Sequence, residues 1–158
     1  MNNEKLTMNS EQCNMDFIEL QIISAVRKLL TEKVNEIIEK WKVFIPLVEI
    51  SNYKGSSAIN AVYSLSSCER TEKERIININ SYSLTVQFSI PENTDSELYC
   101  YAYGNAFDKA LSLDKTLGGI VECATITSTK YIPPKKLNCG QEWEVIITLR
   151  ITVEEMKC

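Results

Sequence analysis

A chain of 158 residues and 18.0 kDa has the length of one ordinary domain. At 44% hydrophobic and 24% charged, with 5 Gly and 4 Pro, it is globular in composition rather than disordered or repetitive. Its 0 histidines exclude a Ser-His-Asp triad and any His-ligated metal site, and a net charge of −4 argues against a protein that binds nucleic acid by neutralising phosphates.

Residues 1–14 are polar and without periodicity, which predicts a loose arm before a single domain over 15–158. From Asp16 to Trp41 apolar residues recur at i, i+4 and i+7 spacings around one stripe (Phe17, Ile18, Ile22, Ile23, Val26, Leu29, Leu30, Val34, Ile37, Ile38, Trp41), with charged residues on the other face. Asn14 or Asp16 is placed to cap this helix, and the pattern leaves open whether it breaks near Thr31. Pro46 ends the helical region. Short apolar runs at 47–50 and 58–65, around a turn-prone stretch at 52–57, read as two modest strands or an irregular excursion. The densest charge run follows, with Glu69, Arg70, Glu72, Lys73 and Arg75 interleaving both signs, and reads as a solvated loop or hairpin tip.

Strict alternation over 76–90 predicts a strand with Tyr82, Leu84, Val86, Phe88 and Ile90 on one face and hydroxyl-bearing residues on the other. Thr94 and Glu97 have capping-box spacing, and a helix follows that carries Leu98, Tyr99, Ala102, Tyr103, Ala106, Phe107, Ala110 and Leu111. Gly104 sits alone inside that pattern. Residues 114–119 must turn the chain into a Thr- and Ile-rich strand from Ile120 to about Tyr131, and Pro133-Pro134 keeps the next loop extended. In the last strand Trp143, Val145, Ile147, Leu149, Ile151 and Val153 share one face. The predicted class is therefore α+β, a mainly antiparallel twisted sheet with two helices packed on one face.

Six cysteines invite a disulfide framework, but no pair has metal-ligand spacing and the first 30 residues lack the pattern of a secretory signal. They are expected to be reduced, mostly buried thiols in an intracellular protein, and no apolar stretch approaches the ~20 residues that span a bilayer. Gly118-Gly119 belongs to neither phosphate-loop pattern, and no pair among the 21 acidic residues is singled out for catalysis. No cofactor, metal site or catalytic residue is expected, and the enzyme reading ranks last.

The run Ala106-Phe107-Asp108-Lys109-Ala110-Leu111, then Asp114-Lys115-Thr116-Leu117-Gly118-Gly119-Ile120-Val121, then a Thr-rich strand and a final strand over 142–154, resembles small tailed-phage neck and tail-end proteins. There a helix leads into a D-x-T-L-G-G-x-V turn and a paired β-ribbon. The likeness is to the tail terminator (tail-completion, minor tail) group, with head-tail joining proteins similar, and it covers residues 76–154. It implies a non-enzymatic virion protein of the tail or neck, assembled in the host cytoplasm. That protein would form a ring, commonly a hexamer, that caps the tail tube and meets head-completion proteins. DNA would pass through the bore of such an acidic ring without specific binding. The motif turn is then Asp114, Thr116, Leu117, Gly118 and Gly119. The candidate contacts are the charge run 69–75 and a second patch of Lys130, Lys135 and Lys136, with an exposed edge of the strand at 76–90 or 142–154 available for pairing. The competing class is a monomeric adaptor that binds one phage protein.

Overall fold

The computed structural model describes residues 17–41, 61–91, 95–135 and 142–156. The arm at 1–14, the caps at Asn14, Asp16 and Thr94, the run at 47–50 and Lys136 lie outside the described residues. Four antiparallel strands, β1 (Ala61–Glu74), β2 (Ile77–Pro91), β3 (Cys123–Ile132) and β4 (Glu142–Met156), form one sheet in the order β1-β2-β4-β3. Two helices, α1 (18–40) and α2 (Ser96–Leu113), pack on one of its faces, as an α+β domain requires.

The alternation in β2 and β4 is realised as read. Leu84, Val86, Phe88 and Ile90 pair across the sheet with Leu149, Ile147, Val145 and Trp143, and their faces turn toward the helices. Leu84, Val86, Phe88, Val145, Ile147, Leu149 and Ile151 are all fully buried. Small Ala102, Ala106 and Ala110 let α2 approach this face closely, and Tyr103 and Phe107 fill the remaining space. The opposite face carries Ser81, Ser83, Thr85, Gln87, Thr148 and Thr152, all half-buried and, among the described residues, without a helix over them.

Helix α1 is continuous through Thr31, and its middle, Leu29–Val34, is π-helical. The core-facing residues Ile22, Val26, Leu30, Val34 and Ile38 are between 0% and 1% exposed and recur every four residues. In a 3.6-residue helix each such step overshoots one turn by about 40°, and four steps carry the stripe most of the way to the opposite face. The wider π turn absorbs the excess. Two side chains satisfy backbone groups there: the Thr31 hydroxyl donates to the Arg27 carbonyl (3.0 Å), and the buried Asn35 amide donates to the Thr31 carbonyl (2.8 Å).

Several boundaries differ from expectation. The N-caps are Phe17 and Asp95, neither with a side-chain capping bond, and Glu97 accepts a hydrogen bond from Tyr101 Oη (2.8 Å). Leu98, counted with the apolar stripe of α2, and Phe17 and Trp41, counted with that of α1, are exposed. Of the described cysteines Cys100 is buried, Cys123 half-buried and Cys68 exposed, so "mostly buried" fails although all three are free thiols. Residues 120–122 belong to the turn, and β3 starts at Cys123 because Val121 N–H is held by the Thr116 carbonyl (3.1 Å). The strands proposed as edges, β2 and β4, are central, and the edges are β1 and β3.

Tyr103 is 0% exposed, and its hydroxyl has no hydrogen-bond partner among the described residues. Burial pushes its phenol well above the ordinary tyrosine value. A desolvated, unpaired hydroxyl opposes folding, so Tyr103→Phe is expected to stabilise the chain by about 1 kcal/mol, read from the shift in urea midpoint. A fall in stability would show that the hydroxyl is bonded in solution.

Candidate functional site

The charge run 69–75 is not a loop. Residues through Glu74 are the distal half of β1, and only Arg75 and Ile76 form the turn into β2. Strands β1, β2 and β4 are 14, 15 and 15 residues long, whereas ~5–6 is usual. Strand β3 has only 10 and stops at the pair Cys123–Thr152. The buried stretch of β2 ends at Asn80 and Tyr82, and residues 66–76 are exposed throughout. The end of the sheet is therefore a three-stranded arm reaching ~20 Å past Tyr82, at ~3.3 Å per residue. Of the two readings of this run the hairpin tip holds and the solvated loop does not, because a strand exposed on both faces has no apolar alternation to betray it.

The arm is braced on both faces. On the helix-side face Arg70 Nε donates to Asn80 Oδ1 (3.0 Å), Asn80 Nδ2 donates to Glu155 Oε2 (2.7 Å), and the Arg70 guanidinium pairs with the same carboxylate (3.3 Å). On the other face the Lys73 ammonium bonds Glu154, which raises the Lys73 pKa. Each bridge crosses from β1 over β2 to β4. Exposed ion pairs each contribute little, but Asn80 is buried, so the first is also a satisfied polar network that sets the register of the arm. Arg70 and Lys73 are thus used within the chain. Glu69 lies exposed opposite Ser81, Glu72 opposite Asn78, and Arg75 in the turn. Ile76 (53% exposed) and Met156 (70%) stand at the tip, where the described residues include Glu69, Glu72, Glu74, Glu154 and Glu155 against Arg70, Lys73 and Arg75.

The motif turn is a self-bonded knot. Asp114 Oδ1 accepts from Gly118 N–H (3.0 Å) and the Thr116 hydroxyl (3.4 Å), and Thr116 Oγ1 accepts from Gly119 N–H (3.2 Å). Leu117, Gly118 and Gly119 all have left-handed φ (50°, 71° and 87°), and Leu117 is held there by burying its side chain. Between this turn and α1 runs a groove of about 1030 Å³, larger than most small-molecule sites. Leu20, Ile23, Leu117 and Ile120 supply its apolar lining, and Arg27, Lys28 and Lys33 outnumber Glu32 and Asp114 around it. Arg27 also stacks over the Tyr63 ring, 5.1 Å from its centroid.

Lys130 and Lys135 are exposed at and beyond the end of β3, where Ile132 pairs with Glu144. That is the opposite end of β4 from the arm, so the two candidate patches are not brought together. Both edge strands are bulged, β1 at Ser66 and again at Lys73, and β3 at Thr127. The Ser66 and Thr127 hydroxyls donate to carbonyls of the neighbouring strands, at Ser83 (3.3 Å) and Thr148 (3.2 Å) respectively. Bulges of this kind blunt edges against pairing with another chain.

Among the described residues no group of three or more Cys, Asp or Glu could hold a metal ion, and no helix is long and apolar enough to cross a membrane. No protein-family profile matches the chain, and no curated protein sequence matches it either.

Proposed function

We propose that this chain is a non-enzymatic structural subunit of a tailed phage or prophage, a tail terminator or tail-completion protein that closes into a ring at the head-proximal end of the tail tube. The observation that carries the reading is the braced arm: three over-long strands tied together by side-chain bridges and exposed among the described residues. A braced, exposed projection is of use in reaching a neighbour. The helix, D-x-T-L-G-G-x-V turn and antiparallel β3–β4 pair stand in the order found in that group. In this reading the partners are copies of the chain, the tail tube and head-completion proteins; DNA only passes through, and the subunit resides in the virion neck or tail.

Light scattering after size exclusion, on the chain alone and with purified tail tubes, tests it. A ring appears as a multiple of 18.0 kDa, commonly six, in at least one of the two conditions. A persistent monomer that also fails to multimerise on tubes favours the adaptor reading, for which the bulged edges at Ser66 and Thr127 speak, since they hinder association by strand addition.

A further inference from the structure

We infer that the arm of one subunit seats in the groove between α1 and the 114–120 turn of the next, so that the ring closes through a heterologous contact. This rests on the ring reading above and names its interface. The two surfaces match in chemistry. The arm projects past the buried part of the sheet, ends in exposed Ile76 and Met156, and carries more acids than cations among the described residues. The groove is concave, is lined by Leu20, Ile23, Leu117 and Ile120, and carries an excess of cations with Lys28 and Lys33 on its α1 side. Leu20 and Ile120 are 42% and 36% exposed, so burying them, Ile76 and Met156 together removes apolar surface that each subunit alone leaves in water.

The blunted edges and the arm are complementary devices. Bulges at Ser66 and Thr127 discourage open-ended growth by strand pairing, and an arm-in-groove contact uses side chains instead of backbone edges. Because arm and groove are different patches of one surface, the contact is head-to-tail, and the rotation between successive subunits decides whether it closes. Opposite charge excess also sets the polarity: arm against arm would bring like charges together.

Two variants at exposed positions test the contact: Ile76→Asp with Glu74→Lys on the arm, and Leu20→Asp with Lys28→Glu in the groove. Circular dichroism confirms folding, and mass is read by light scattering in whichever condition, free or on tail tubes, the wild-type chain assembles. Each variant alone is expected at 18.0 kDa. An equimolar mixture is expected at twice that mass, since only the intact arm of one variant and the intact groove of the other can meet and both free ends are dead. Retention of the wild-type mass by either variant, or a mixture that stays monomeric, overturns the arm-in-groove contact while leaving the ring standing. A wild-type chain that assembles in neither condition overturns both.

Discussion

Gly104→Ala is expected to lower the unfolding free energy by roughly 1–2 kcal/mol, although alanine is the better helix former by ~1 kcal/mol. The reason is space. A Cβ built at Gly104 would lie 2.0 Å from Tyr131 Oη and 3.0 Å from Cζ, because β3 and α2 approach each other where the tyrosine ring crosses the helix. Tyr131 is half-buried and meets Tyr101 edge-on at 5.0 Å between ring centroids. To admit the methyl group the ring must swing, losing that contact and part of its burial. The check is a double-mutant cycle with Tyr131→Phe, which removes the atom in the closest clash. The cost of Gly104→Ala should shrink by at least half in that background, measured from denaturant midpoints at constant slope. An alanine variant as stable as the parent would mean that Tyr131 moves freely and that the slot beside Gly104 has no packing role.

That isolated glycine illustrates what was legible in the chain and what was not. Its presence inside a helical pattern was visible, but its reason lay in a strand 27 positions away that no periodicity connects to it. The central strands were readable because one face of each is buried and period-2 alternation has no other cause. The four-residue repeat from Ile22 to Ile38 contained the signal for the π turn, since five residues at that spacing cannot share one face of an unbroken α-helix. A hairpin tip was legible at 69–75 as an alternative to a loop, but not the length of its strands, because burial writes the pattern that sequence reasoning uses, and Glu69 to Glu74 have none. The groove was out of reach for a related reason: Leu20 and Ile120 are ordinary apolar residues until the fold sets α1 beside the turn.

Gly119→Val is expected to destabilise by roughly 2 kcal/mol or more, for a reason opposite to that at Gly104. Nothing lies within 4 Å of a Cβ added at Gly118 or Gly119, so neither position lacks room. What they lack is an alternative conformation: φ is 87° at Gly119 and 71° at Gly118. A β-branched residue at Gly119 must therefore strain or unwind the turn. Unwinding releases Gly119 N–H from Thr116 and Val121 N–H from the Thr116 carbonyl, and with them the buried Leu117. Gly118→Asn is the matched control, since asparagine tolerates left-handed φ, and should cost no more than ~0.5 kcal/mol. Because Leu117, Gly118 and Ile120 also line the groove, Gly119→Val should weaken assembly at temperatures well below its own unfolding midpoint, whereas Gly104→Ala, remote from both arm and groove, should not. Equal loss of assembly in the two variants at matched stability would mean that the groove responds only to global stability, and that the turn shapes no contact surface of its own.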